Sequence, residues 1–269
     1  MAKRYYNLEN EAKAYLKSCN DRDIVNQTNT NMLNDYIINR KNNNLDASFL
    51  ARNPITLNGL VLWLDASVGD SYPAGGNIWK DLSNSKFNGT LVNNPIYSSA
   101  NNGSLVFNGV NNFVQVTGSS TVSSATFIAW ILRNGSQDLY DGIIYSRSAS
   151  TNGMSIANAN QLGYTWNNEA NTYNWASSLT VPNLNWCMCA ISISSTSATA
   201  YVCQSTGITS AINNVSHAST TIDNIKIGQD DFGSRWFTGN IAQCLIYNRA
   251  LTSIEILQNF NATKSRFGL

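Results

Sequence analysis

Residues 227–256 read IGQDDFGSRWFTGNIAQCLIYNRALTSIEI, and three patterns follow one another within them. Gly228 and Gly239 bound a short polar hairpin, where a tight turn needs a positive φ. The run at 240–248, NIAQCLIYN, then reads as a strand closed by Asn. Beyond it Thr252 or Ser253 can cap a helix, with Glu255 in its first turn and Ile254, Leu257 and Gln258 following at helical spacing. Hairpin, strand and short closing helix belong to antiparallel β-structure, with no βαβ alternation.

The same period of two extends backwards to residue 59. GLVLWLDA (59–66), SLVFNG (104–109), NFVQVTG (112–118), ATFIAWILR (125–133), GIIYSR (142–147), NWCMCAISIS (185–194), ATAYVCQ (198–204) and DNIKIG (223–228) are strand-like runs bounded by Asn, Gly and Ser. The run Phe127 to Leu132 is apolar on both faces, which predicts a central, doubly covered strand. Many strands and little helix predict a mainly β fold of two packed antiparallel sheets, with Trp63, Trp79, Phe107 and Tyr247 in the core. The closing helix is expected to cover an end or edge of the sandwich.

Composition agrees. Charged residues are 12% of the 269, the formal net charge is +1, and Asn alone occurs 40 times. Asn favours turns over helix interiors because its side chain bonds the local backbone. A near-zero net charge leaves no electrostatic footprint for nucleic acid. No apolar run approaches the roughly 20 residues that cross a bilayer, so no membrane insertion is expected. The start, MAKRYYNLENEAKAYLK, lacks the apolar core of a signal peptide, which predicts synthesis and folding in a reducing cytoplasm. Five Cys with no CxxC spacing point to neither a disulfide framework nor a zinc site. Cys187 and Cys189 share one face of a strand and read as small core residues.

Residues 1–52 differ from the rest. They carry eight Lys/Arg and six Asp/Glu but no Gly and no Trp, whereas all 17 Gly and all seven Trp come later. This places a helical arm at 1–52, a linker at 53–57 and the β-domain at 58–269. One helical stripe runs through Leu8, Ala12, Tyr15 and Cys19; a second runs through Leu33, Tyr36 and Ile37. Helices this short need a partner surface. They either pack on their own β-domain or dock on another chain, and the narrow stripe favours docking.

With the motifs in place, the β-domain resembles the concanavalin A-like, laminin-G-like jelly-roll family. GLVLWLDAS, Trp79-Lys80-Asp81-Leu82-Ser83 and Asn88-Gly89-Thr90-Leu91 resemble its opening, SLVFNGVNNFVQV its strand-turn-strand segment, and residues 227–256 its carboxy-terminal signature. The leader, with NDYIINRKN, resembles leaders of structural proteins of tailed phages. The resemblance implies a virion protein, as capsid decoration or tail-fibre component. Its arm would dock to other virion proteins and its sandwich would face outward, for adhesion to cell-surface glycan. A free carbohydrate-binding lectin is the alternative, and a degenerate glycoside hydrolase the third reading.

Catalysis has little to stand on. Retaining glycoside hydrolysis needs two carboxylates about 5–5.5 Å apart. The β-domain has only Glu169 and Glu255 as glutamates, and no strand with alternating acids. His217, the one His, reads as an exposed loop residue, and no GxSxG elbow is present. The expectation is therefore a non-enzyme without a resident cofactor. Calcium is a weaker expectation: the family binds it through Asp, and Asp81, Asp230 and Asp231 are the candidates, with turn-capping the rival reading for Asp81. The acidic positions of the family's FDG and DY pattern are Asn108 and Asn112 here, which lowers any cation affinity. For glycan, Trp166, Asn167, Tyr173 and Trp175 combine aromatic faces with amides, against the rival reading that alternation buries half of them. Sandwich edges with few charges also predict a homo-oligomer.

Overall fold

The computed structural model describes residues 55–269. The arm expected at 1–52, with Leu8, Ala12, Tyr15, Leu33, Tyr36 and Ile37, lies outside the described residues.

Residues 60–252 form two sheets that share one apolar core. One sheet contains β1 (Leu60–Asp65), β4 (Ile96–Ser98), β5 (Ser104–Asn108), β7 (Ala125–Arg133), β11 (Trp186–Ile193), β12 (Ala198–Gln204), β13 (Gly207–Asn213) and β17 (Thr238–Tyr247). Its order is β13-β12-β11-β7-β17-β5-β4, with β1 also paired to β17. The other contains β2 (Ile78–Trp79), β3 (Gly89–Val92), β6 (Phe113–Val122), β8 (Asp141–Arg147), β9 (Thr151–Ile156), β10 (Leu162–Thr165) and β14 (Thr220–Ile227), in the order β10-β9-β8-β14-β6-β3-β2. A hairpin of β15 (Gln229–Asp230) and β16 (Arg235–Trp236) joins this second sheet where Trp236 bridges Gly142 of β8.

The alternation read from the sequence places the core. Leu62 and Leu64, Val114 and Val116, and Ile225 and Ile227 point into it at every second position. β7 lies between β11 and β17 and is buried on both faces from Ala125 to Ile131, as its unbroken apolar run predicts. Trp63, Trp79, Phe107 and Tyr247 are all buried. Cys187 and Cys189 sit side by side in the core, Sγ to Sγ 3.7 Å, as free thiols. Burial pushes the neighbouring Cys203 thiol up to about 12.

The Asn-rich turns work as that residue type suggests. Asn108 Oδ1 accepts from the amides of Val110, Asn111 and Asn112 at 3.0–3.3 Å, and Asn112 Oδ1 accepts from the Asn108 amide at 3.1 Å. The two amides that replace acids at these positions close their own turn.

A short helix α1 (Ala170–Tyr173) follows β10. The described part of a second compact unit consists of residues 55–59 and of helix α2 (Ser253–Thr263) with the 3-10 turn Lys264–Phe267. α2 starts where the sequence places its cap. Within this unit the Thr56 amide donates to Asn259 Oδ1 at 2.7 Å.

Candidate functional site

The site grows from the hairpin β15–β16 and the strand it lies against. Gly142 of β8 permits the contact. A Cβ there would come within 2.3 Å of the Asp230 amide nitrogen, so only glycine lets the hairpin backbone approach this closely. The hairpin carries Asp230, Phe232 and Arg235. The end of β8 supplies Arg147, and the start of β9 Thr151. Thr165 ends β10, Asn168 and Tyr173 follow it, and Tyr140 precedes β8. All of these except Asp230, together with Tyr145, line a pocket of about 330 Å³.

Two guanidinium groups meet one carboxylate on its wall. Arg147 Nε and Nη2 donate to Asp230 Oδ1 and Oδ2 at 2.8 and 3.0 Å, and Arg235 Nη1 donates to Asp230 Oδ2 at 2.6 Å. Arg147 Nη1 also donates to Thr151 Oγ1 at 3.1 Å. Asp230 is fully buried, and both guanidinium side chains are 24% exposed. Burial opposes the charge on Arg147, but the bidentate bond to Asp230 outweighs it and raises its pKa.

Aromatic rings hold these cations. The Arg235 Cζ lies 4.7 Å from the centroids of both Tyr140 and Phe232, and the Arg147 Cζ lies 5.2 Å from Phe232 and 5.9 Å from Tyr145. Tyr140 meets Tyr173 edge-on at 6.0 Å. The Tyr145 hydroxyl is paired with Thr165 Oγ1 at 2.6 Å, and burial raises its pKa. Phe232 is 61% exposed although it is a large apolar side chain.

Among the glycan candidates only Tyr173 lines this pocket. Trp166 is corrected outright. It is fully buried, its indole Nε1 donates to the Ala218 carbonyl at 2.7 Å, and no ring face is left for a sugar. Trp175 is half-buried and packs edge-on against Tyr164 at 5.8 Å. Asn167 directs its amide to the carbonyls of Ala218 and Ser219; its neighbour Asn168 reaches the pocket instead. Alternation from Tyr164 placed two aromatics inside, as the rival reading had it.

The calcium candidates do not converge. Asp81 accepts from the amides of Trp63, Ser83 and Phe87 and from the Ser83 hydroxyl, all at 2.7–2.8 Å, which is the turn-capping role. Asp230 is held by two arginines. Asp231, in the turn after β15 and half exposed, pairs with Lys226 at 2.8 Å. Among the described residues no group of three His, Cys, Asp or Glu could hold a metal ion.

His217 is also corrected, because it is only 5% exposed. Its Nδ1 faces the Ser194 carbonyl at 2.8 Å, so it carries the proton, and its Nε2 accepts from the Tyr164 hydroxyl at 2.9 Å. Burial lowers its pKa and keeps the ring neutral.

Arg147, Arg235, Tyr140 and Phe232 were not singled out from the sequence. A signal was available. Residues 53–269 contain only nine Lys/Arg, so an Arg and a Phe in one short hairpin are conspicuous.

Compared with protein families, residues 107–257 match the model of the concanavalin A-like lectin/glucanases superfamily, of laminin G type. Compared with curated sequences, the chain finds no match. Among solved structures it is similar to domain 4 of AbnA, an extracellular arabinanase of Geobacillus stearothermophilus seen in complex with arabinotriose. The TM-score is 0.55 at 13% identity, over 77% of this chain and 100% of that one. It is similar to Trypanosoma rangeli sialidase, TM-score 0.57 at 16% identity, over 89% of this chain but 39% of that one, so it spans well under half of the sialidase. It is similar to the binding domain of Paraclostridial Mosquitocidal Protein 1, TM-score 0.54 at 15% identity, over 77% and 52%. At these identities the likeness is one of fold.

Proposed function

The chain belongs to the concanavalin A-like lectin/glucanases superfamily, and from that premise we propose that it is a non-catalytic saccharide-binding protein, displayed on a tailed-phage particle by its amino-terminal arm. The observation that carries the binding role is the pocket on the β8–β9–β10 side. It combines Tyr140, Tyr173 and Phe232 with the donors and acceptors of Arg147, Arg235, Thr151 and Asn168. Aromatic faces pack on the C–H faces of a sugar while a few fixed polar groups read its hydroxyls. The lining contains no carboxylate, and the nearby Asp230 is engaged by two cations. This supports binding without hydrolysis, since most glycosidases work with a free pair of acids. A domain of the same fold seen with arabinotriose supports the same role.

The display role rests on the composition break at residue 52 and on the leader's resemblance to phage structural proteins. Self-association belongs to the same proposal. β13 ends its sheet, carries no charged residue and exposes Ile208 and Ile212, so a second copy can pair there.

Isothermal titration of the full chain against a panel of plant and algal oligosaccharides tests the binding role. Tyr173→Ala is expected to weaken binding at least tenfold without shifting Tm by more than a few degrees. Undiminished binding by that variant removes the pocket from the reading. Deletion of residues 1–52 tests display: the sandwich should fold and bind sugar but no longer join the particle.

A further inference from the structure

The pocket wall is not electrically neutral, and its donors are not all in use. A guanidinium has five N–H groups. Arg147 commits three, to both oxygens of Asp230 and to Thr151. Arg235 commits one, to Asp230 Oδ2. The rest of Arg235's donors have no partner among the described residues. Two cations face one buried carboxylate, which leaves one positive charge at the wall. A further ion pair, Lys226 with Asp231, is neutral as a pair, and the carboxyl of Asp141, which feels the charge of Arg235, is pushed by burial toward its neutral form. Nor does any acidic side chain line the cavity to offset the excess.

The rings decide how that charge is presented. Tyr140 and Phe232 both lie 4.7 Å from the Arg235 Cζ, so two rings hold the guanidinium in the lining, and its uncommitted N–H groups are what a ligand meets. Asp230 fixes one corner of the guanidinium rim. A planar fork of donors held in this way matches two oxygens of one oxyanion, which is the geometry in which Arg outperforms Lys. Phe232, far more exposed than its apolar ring warrants, stands beside both arginines. A cavity of about 330 Å³ is near the small end of ligand pockets, enough for one ring of a longer chain.

We propose that the pocket selects an acidic sugar unit, with its carboxylate or sulfate on the free rim of Arg235 and its ring against Phe232 and Tyr173. This rests on the saccharide-binding reading and adds the ligand's charge to it. Carboxylate and sulfate share the recognising chemistry, so both are tested.

Titration calorimetry of the full chain would use three tetrasaccharide probes: an oligogalacturonate, a sulfated oligogalactan and a neutral oligogalactan. Each is measured at about 50 mM and about 500 mM salt. The acidic probe of the correct kind should bind at least tenfold more tightly than the neutral one at low salt, and that advantage should shrink several-fold at high salt. Arg235→Gln should erase the advantage, weakening the acidic probe at least fivefold more than the neutral one; Arg235→Lys, which keeps the charge but not the fork, should retain part of it. Should Arg235→Gln lower the Tm, the wild-type preference and its salt dependence decide the matter unaided. Equal affinity for acidic and neutral probes overturns the acidic selectivity and leaves the saccharide reading standing. A preference that survives Arg235→Gln unchanged overturns the assignment to this rim. Absence of binding to all three overturns the selectivity; if the wider panel is not bound either, the saccharide reading falls too.

Discussion

Asp81 and Asp230 are the same residue type and both are buried, at 3% and 0% exposure, yet they are neutralised by different means. Asp81 is surrounded by main-chain amides and one hydroxyl, all from residues 63–87. The carboxylate ties the middle of β1 to the loop after β2. Asp230 is surrounded by two guanidinium groups that keep further donors and stand in a pocket wall. Where the compensation comes from decides whether a buried carboxylate is architectural or part of a site. Backbone dipoles cancel the charge and leave nothing over. Two cations overshoot it and leave a positive rim. Asp141 makes a third case. It accepts from the Asp138 amide at 2.7 Å, and burial pushes its carboxyl up to about 7, with the backbone bonds from Asp138 and Trp236 and the charge of Arg235 offsetting only part of that.

The contrast can be broken most sharply at Asp81. Asp81→Ala leaves the Trp63, Ser83 and Phe87 amides without their acceptor and should cost about 3–4 kcal/mol in urea denaturation. A loss under about 1 kcal/mol would mean that water replaces the carboxylate and that the role is not architectural.

Asp230→Asn should cost less, about 2 kcal/mol, because guanidinium groups that are a quarter exposed reach solvent once the anion is gone. Unlike Asp81→Ala, it should also weaken saccharide binding by fully folded protein, since the fork of Arg235 loses its anchor. Unchanged affinity would detach Asp230 from the site.

The smallest effect belongs to Asp141 and depends on pH. Its folded pKa is raised, so the stability it contributes is full below about pH 4 and is lost as pH rises through about 7. Asp141→Asn cannot ionise. Relative to wild type, the variant should therefore gain about 1 kcal/mol between pH 4.5 and pH 8, a figure already reduced for solvent screening. Urea midpoints at the two pH values check it, and a constant difference between the proteins would sink it.

Legibility followed the range of the interactions. β1, β11 and β17 were visible because their apolar residues recur every second position, and β7 because its apolar run is unbroken. β9 was not: TNGMSI carries Thr, Asn, Gly and Ser, yet all six residues are buried. Its Asn152 is satisfied by Ser150, Thr220 and Thr221, and two of those partners are nearly 70 residues away. His217 misled in the same way, because Tyr164 and Ser194 bury it from elsewhere in the chain. The hairpin at 229–236 is legible as a turn between glycines, but the two arginines that hold Asp230, one of them 83 residues away, are not.

The sequence by itself determined the sandwich, the doubly covered central strand, the turn role of the Asn residues and the position of α2, because period, turn chemistry and capping are properties of neighbouring residues. Only the tertiary structure decided which aromatics face a ligand and what neutralises Asp230. Arg147 and Asp230 stand 83 residues apart, on a strand and on a hairpin that meet through a bare glycine, and nothing in local sequence encodes such a contact.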